Sequence, residues 1–336
     1  MELFTPEYYS LFRCIASACP DSCCKEWEVD VDEAAAAYYR ALPGSLGERL
    51  RSVLRDTEDG TVMTIENGRC PMWRQDGLCE IQSQLGHDAL CATCRDFPRL
   101  RHDYGDFIEF GLELSCPEAA RLILTSPAQN MICQVVSGGE EPDYDTEAME
   151  VLRHSREQAL AILANDSFTV PQALAILLLY AHGVQSELDG GETSAFDPEE
   201  CLRQAAKYAQ PGDPAALFHF FTQLEILTPQ WQTRLSAGPS PNPWTDTFRP
   251  LARYFVNRYW LQAVSDYDLI CRVKFTIAAC LLVHAMGGDP VQTAQLFSKE
   301  IENAPDNVDA ILDAAYTEPA FTDTHLLGLL LFEKFF

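Results

Sequence analysis

Cysteine is concentrated at one end of this chain of 336 residues. Nine of its 13 cysteines fall within the first 116 residues: Cys14, Cys19, Cys23, Cys24, Cys70, Cys79, Cys91, Cys94 and Cys116. Thiols that served only as small core side chains would be spread along the sequence, so this bias indicates a shared task. Two tasks are open to clustered thiols, disulfide bonding and metal ligation.

The start of the chain favours metal ligation. Residues 1–7 show no basic segment followed by an apolar one, as a secretory signal would. The longest apolar runs, 173–181 and 275–283, are too short to span a bilayer and predict buried helices. We therefore expect a cytoplasmic protein without a membrane partner. In that compartment thiols stay reduced, and clustered cysteines bind metal more often than they form disulfides.

The charge of the chain excludes one class of partner. Lysine and arginine number 24 against 50 acidic residues, which gives a net charge of −26. Such a surface repels phosphate backbones and anionic lipid, so we expect no nucleic-acid partner. It is compatible with a basic, lysine-bearing protein surface, although solubility alone is the simpler explanation for the acidity.

The cysteine-rich part, residues 1–126, is predicted to contain a small β element. Residues 61–65 alternate as a strand. Turns at 67–68 and 76–77 then form a hairpin with Cys70 and Cys79 on its two arms. Residues 107–114 predict another strand. The proline at position 117 starts a helix with Cys116 at its N-cap, where the helix dipole favours a thiolate.

The rest of the chain is predicted to be helical. Residues 127–145, which contain the run Gly138-Gly139-Glu140-Glu141-Pro142, are interpreted as a linker, and 146–336 as an all-α domain. Helical periodicity covers the segments 146–164, 171–187, 198–209, 214–227, 246–264, 267–286, 290–303 and 321–336. The predicted fold is therefore mainly α, with an N-terminal cysteine-rich metal-binding domain followed by a helical domain.

The number of thiols exceeds the need of one centre. Four thiolates saturate a zinc ion or an iron–sulfur cluster. Cys23 and Cys24 are adjacent, and neighbouring side chains point in different directions, so they do not serve one ion in simple geometry. Either two centres exist, or one centre exists and the remaining thiols serve redox chemistry or packing.

Six spaced elements of the first third of the chain resemble one known family. They are Cys14-x4-Cys19-x3-Cys23-Cys24, Gly-Arg-Cys70-Pro, Gly-Leu-Cys79-x-Ile, Leu-Gly86, Thr-Cys94-Arg-x-Phe-Pro-Arg99 and Leu-Ser-Cys116-Pro-Glu-Ala-Ala. Their order resembles the flagellin lysine N-methylase family, part of a broader group of cysteine-cluster proteins with a CxxCxxCC-like signature. The resemblance runs through residues 5–125.

This resemblance implies an activity, a set of cofactors and a set of ligands. The activity is methyl transfer from S-adenosylmethionine to the ε-amine of lysines in a flagellin-like protein, with a cysteine-bound iron–sulfur cluster (4Fe-4S) or, alternatively, zinc. The implied metal ligands are Cys14, Cys19, Cys23, Cys24, Cys70, Cys79, Cys94 and Cys116. Cys91 lies outside the motif and is interpreted as an ordinary thiol.

The residues do not identify a catalytic group or a pocket for S-adenosylmethionine. The segment 131–140 lacks the strand–turn–helix context of a cofactor loop and fits a linker better. Glu150 and His154 stand one helical turn apart, but a solvated helix face explains them more simply than a metal site does. Two other classes of function therefore stay open. One is a non-enzymatic zinc or iron–sulfur module with a helical partner-binding domain, and the other is a redox or metal-handling protein.

Overall fold

The structure is a computed structural model that describes residues 1–25, 27–127, 129–192 and 195–332. It is mainly helical, as predicted, and its few strands precede residue 136 in the part of the chain that the structure describes. The strands are β1 (Glu2–Pro6), β2 (Val29–Val31), β3 (Leu54–Asp56), β4 (Thr61–Met63), β5 (Arg99–Asp103), β6 (Phe107–Leu112) and β7 (Met131–Val135). No helix of the described residues is both long enough and apolar enough to cross a membrane.

The strands form two sheets. One has the order β5-β6-β1-β7, in which β1 runs parallel to β6 and antiparallel to β7. The other has the order β2-β4-β3 and is antiparallel throughout. The predicted strands at 61–65 and 107–114 are confirmed by β4 and β6. β1 and β7 are not predicted by the sequence, and β7 lies inside the segment expected to be a linker.

Five helices lie in the first 125 residues and ten in the region after residue 145. The first five are α1 (Glu33–Ala41), α2 (Gly44–Val53), α3 (Glu80–Leu85), α4 (Ala92–Asp96) and α5 (Pro117–Thr125). The others are α6 (Thr146–Ala164), α7 (Val170–Leu188), α8 (Pro198–Tyr208), α9 (Pro214–Phe221), α10 (Pro229–Ser236), α11 (Phe248–Tyr259), α12 (Ile270–Met286), α13 (Pro290–Ile301), α14 (Pro305–Thr317) and α15 (Asp323–Leu331). These numbers refer to the described residues only.

Capping side chains explain where several helices begin. Asp145 accepts hydrogen bonds from the first free amides of α6, and Asp32 does the same for α1. Thr169 and Gln172 form a reciprocal capping box at the start of α7. The helix predicted over 214–227 is shorter in the structure, where α9 ends at Phe221. α10 and α14 are not predicted, and residues 333–336 of the last expected helix lie outside the described residues.

Two hydrophobic cores organise the chain. The larger core joins the four-stranded sheet to the helices, for example Phe107 of β6 to Phe255 of α11, Phe275 of α12 and Phe297 of α13. The smaller core lies between residues 29 and 91 and includes the fully buried Met72. The division of the chain at residues 126 and 145 stays a prediction. The sheet that holds β7 packs in the same core as the helices.

Candidate functional site

The nine clustered cysteines form two electrostatic neighbourhoods, which adjoin where Cys23 of one contacts Cys24 of the other. The first thiol group consists of Cys14, Cys19, Cys23 and Cys116. A negative charge on Cys14 would raise the pKa of each of the other three. The second thiol group consists of Cys24, Cys70, Cys79, Cys91 and Cys94. A negative charge on Cys91 would raise the pKa of Cys70, Cys79 and Cys94, and a negative charge on Cys24 would raise the pKa of the same three thiols. Thiols separated by up to 102 positions are therefore electrostatic neighbours.

The first thiol group is built from one loop and one helix start. The loop follows Phe12 and contains only a short 3-10 turn at Ala16–Ala18. In it the Cys19 thiol lies 3.2 Å from the backbone oxygen of Asp21, to which it donates. Cys116 stands at the N-cap of α5, where the sequence predicts it.

The expectation that this N-cap favours a thiolate is wrong. Burial raises the pKa of Cys116 to about 11, and this effect outweighs the hydrogen bonds from the amides of Ala119 and Glu118. Without a metal, the Cys116 thiol is therefore protonated near neutral pH. A metal ion would have to displace its proton, because thiolates are the ligating form.

The second thiol group lines the smaller core. The amide of Cys70 donates to the backbone oxygen of Cys24 at 2.9 Å, which joins the cysteine loop to the hairpin. An isolated β-bridge between Trp73 and Cys79 closes that hairpin, as the sequence predicts. Cys91 is only 2% exposed. Cys70 and Cys91 are thus enclosed by apolar side chains, whereas Cys24 and Cys79 are half-buried and Cys94 is exposed.

Two pairs of thiols are in direct contact. Cys23 donates its thiol hydrogen bond to Cys24, and this bond lowers the pKa of Cys24 to about 7 while that of Cys23 is raised. In the same way Cys94 donates to Cys91, which lowers the pKa of Cys91 to about 7. Each pair therefore holds one thiol that ionises near neutral pH, and a thiolate is the form that binds metal or reacts.

All eight cysteines that the resemblance implies as ligands belong to these two groups, and their role as ligands stays a prediction. Cys91 was interpreted as an ordinary thiol, and the structure places it inside the second group. Its signal in the sequence was the Cys91-x2-Cys94 spacing at the start of the short helix α4. Sequence reasoning missed it because it weighed the family motif above that local spacing.

The donor set fits a soft metal centre by its chemistry. Sets made only of thiolates suit zinc and iron–sulfur clusters, whereas calcium and magnesium prefer oxygen ligands. Within the described ranges, no three cysteine, histidine or carboxylate side chains converge closely enough to hold one ion. The thiols are therefore assembled into neighbourhoods of the right chemistry and do not form a finished single-ion site.

The arginines near the thiols contact aspartates or an aromatic ring. Arg95 pairs with Asp96, and Arg101 pairs with Asp103 at 2.5 Å. The guanidinium of Arg99 lies 5.2 Å from the centre of the Phe12 ring.

A separate cavity of about 570 Å³ lies between α6, α7 and α8. Glu150 and His154 face it, together with Glu147 and Glu187. The aromatic rings of Tyr180 and Phe196, whose centres are 4.8 Å apart, also line it. Among the described residues its lining contains no lysine or arginine. The cavity therefore combines negative charge with aromatic surface, which is the chemistry that binds an organic cation.

The fold and the thiol groups define a class, the cysteine-cluster proteins with a helical C-terminal region. Neither a family model nor a solved structure matches the chain. The chain is 33% identical over 135 residues to the flagellar biosynthetic protein FliU of Salmonella muenchen, a match that covers 36% of this chain and 76% of FliU. It is equally similar to the lysine-N-methylases of Salmonella typhimurium and Salmonella choleraesuis, with 32% of each of those covered.

The chain therefore belongs to the flagellin lysine N-methylase family, which confirms the resemblance found in its sequence. The match spans about a third of the length of the two lysine-N-methylases.

Proposed function

We propose that this chain is a protein-lysine N-methyltransferase. Its substrate is a flagellin-like protein and its methyl donor is S-adenosylmethionine. Membership of the family carries the proposal, because two of the relatives are named lysine-N-methylases and the third a flagellar biosynthetic protein. The net charge of −26 supports a lysine-bearing partner, since opposite charges speed association.

The reaction requires a neutral amine and a precise approach. The lysine ammonium first loses one proton to a base or to water. The lone pair of the neutral nitrogen then attacks the methyl carbon of the sulfonium, the carbon–sulfur bond breaks, and S-adenosylhomocysteine leaves. The methylated nitrogen carries the positive charge that the sulfonium loses. No bond is formed to the protein, so the protein acts chiefly by aligning the two reactants and by receiving the proton.

In this proposal the lysine side chain enters the cavity between α6, α7 and α8. Glu150 and Glu187 attract the ammonium group, and the rings of Tyr180 and Phe196 contact the aliphatic chain. A cavity of about 570 Å³ lies within the range usual for small-ligand sites.

The two thiol groups hold an iron–sulfur cluster or zinc in this proposal. The first group contains four thiols and the second contains five, which is the number that four-coordinate binding needs. In each group the thiols would have to move closer together to bind one centre, because no three of the described side chains converge on one point. When bound, such a centre fastens segments far apart in sequence and adds its binding energy to folding.

The test is a transfer assay with protein purified and reconstituted without oxygen. Labelled S-adenosylmethionine and purified flagellin should yield methyl-lysine, detected by mass spectrometry. Glu150→Gln and Glu187→Gln should raise KM for flagellin several-fold, and Glu157→Gln, on the same helix but outside the cavity, should not. If the metal-replete protein transfers no methyl group, the proposed function is wrong. If transfer occurs but both cavity variants behave as the unmodified protein does, only the placement of the lysine is wrong.

A structural metal module is the second candidate function. The observation that favours it is the burial of Cys70 and Cys91 inside the smaller core, where a metal would act as a staple. Cys91→Ser should then lower the metal content and the melting temperature, whereas Cys133→Ser, at an exposed cysteine outside both groups, should change neither. Loss of metal and stability without any methyl transfer by the unmodified protein would favour the module over the enzyme.

A further inference from the structure

One aspartate in the cysteine loop receives bonds from both parts of the chain. Asp21 lies between Cys19 and Cys23, and Lys25 of the same segment approaches its carboxylate at 3.0 Å. Helix α13 supplies the other two donors. They are the ammonium of Lys299 at 3.0 Å and the side-chain amide of Gln295 at 3.1 Å. The loop is therefore tied to a helix more than 270 positions away in sequence.

The same glutamine also holds the other segment of the first thiol group. Its amide donates to the backbone oxygen of Ser115 at 2.7 Å, directly before Cys116. Gln295 is only 8% exposed. α13 also packs against α5, the helix that Cys116 caps. One buried amide therefore joins the two chain segments that carry the four thiols of this group.

We infer that Gln295 and Lys299 are positioning residues for the first thiol group. The cysteine loop has little regular structure of its own, so its thiols need an outside anchor to stay near Cys116. The two α13 side chains supply that anchor through Asp21 and Ser115. Groups that orient ligands from outside the first shell commonly change metal affinity about 10- to 100-fold when they are removed.

This inference has a consequence for how the two parts of the chain communicate. Metal binding to the first thiol group would stabilise the arrangement in which α13 contacts the loop. By the reciprocity of linked equilibria, a ligand of α13 that changes metal affinity would have its own affinity changed by the same factor when the metal binds. The inference concerns the thiols and α13, and it does not depend on whether methyl transfer occurs.

The experiment compares Gln295→Leu and Lys299→Met with the unmodified full chain. The metal-free protein is treated briefly with iodoacetamide, and each cysteine is followed by mass spectrometry. Both variants should increase the alkylation rate of Cys19 and Cys116, the two half-buried thiols of the first group, several-fold while leaving Cys70 and Cys91 unchanged. Separately, the affinity for added Zn²⁺, measured against a chromogenic chelator, should fall about 10- to 100-fold.

Matched controls separate positioning from general damage to the helix. Gln292→Leu makes the same change on an exposed turn of α13, and Lys207→Met removes an exposed lysine of α8. Neither should alter the alkylation pattern. Lys299→Arg keeps the positive charge beside Asp21 and should restore most of the protection that Lys299→Met loses.

Unchanged alkylation at the first thiol group in both variants would overturn the inference. So would a uniform increase at all thiols, since that indicates general unfolding. Should Gln295→Leu fail to fold, Asp21→Asn weakens the same contacts from the loop side and is expected to give the same selective increase. If the unmodified protein binds no Zn²⁺, the alkylation pattern still decides.

Discussion

Acid should weaken this fold through one buried histidine. His284, on α12, is 3% exposed and lies stacked on Trp244, with ring centres 3.9 Å apart and planes within 7°. Burial lowers its pKa to about 4, and a backbone hydrogen bond with Asn242 offsets part of this effect. The neutral imidazole is therefore the form that the folded protein accepts, whereas the unfolded chain binds a proton at the ordinary value near 6.5.

The sign and the size follow from linkage. Because the folded pKa of His284 is depressed, its contribution to stability is intact above about pH 6.5 and is lost as the pH falls towards 4. The difference between about 4 and 6.5 corresponds to about 3 kcal/mol when the loss is complete. Between pH 7 and pH 5 the loss is about 2 kcal/mol, since the folded site is still mostly neutral at pH 5.

Urea unfolding at pH 7 and pH 5 measures the contribution of His284. The loss of stability between the two pH values is compared between the unmodified chain and a variant. For the unmodified chain and for His284→Gln, the free energy of unfolding is determined at both pH values. The variant should be less stable at pH 7, but its loss of stability between pH 7 and pH 5 should be smaller by about 2 kcal/mol. His87→Gln, at an exposed histidine, is the matched control. Equal losses in all three proteins would refute the assignment.

Three further changes test the energetics of the fold, each by chemical unfolding at pH 7. Arg258→Met should lower the free energy of unfolding by about 3–5 kcal/mol, because it leaves the fully buried carboxylate of Glu302 without its ion-pair partner, which lies 2.9 Å away. Arg258→Lys should lower it less, and equal losses in the two variants would contradict this role of the ion pair. Gly328→Ala would place a methyl group 1.6 Å from the backbone oxygen of Gln210, so we expect a loss of about 3 kcal/mol, and a loss near zero would show that α15 can shift. Asp145→Ala should cost about 1 kcal/mol by removing the cap of α6, whereas Asp145→Asn should cost little.

Much of the helical architecture could be predicted because its determinants are local. Aspartate and threonine caps, prolines at first helical positions and apolar periodicity all lie within a few residues of the helix they define. The N-cap position of Cys116 was predicted for the same reason. Its protonation state was not, because burial depends on side chains of other segments.

The elements that were missed depend on distant partners. β1 becomes a strand by pairing with β6 and β7, which follow it by about 100 and 130 residues, and a single sequence gives no sign of such pairing. The division of the cysteines into two groups is likewise set by long-range packing. Adjacent Cys23 and Cys24 suggested two centres, but the membership of Cys91 became visible only when the smaller core was assembled.

The cavity is a third feature that could not be predicted from the sequence. Glu150 and His154 were noted as a pair on one helix face and interpreted as solvated. The structure adds Glu187 and Tyr180 from α7 and Phe196 from the segment before α8, which together enclose a space. The pair itself was visible in the sequence, but the partners that give it a chemical meaning come from other helices.

The most direct test of the central claim is the metal content of protein purified without oxygen. Iron, acid-labile sulfide and zinc are quantified per chain, together with the visible absorption spectrum. The account predicts bound iron and sulfide with the broad absorption of a thiolate-ligated cluster, and less of that absorption per chain in a Cys23→Ser, Cys116→Ser double variant but not in Cys133→Ser. Protein that carries neither iron nor zinc after reconstitution, with all its thiols free to react, would contradict it.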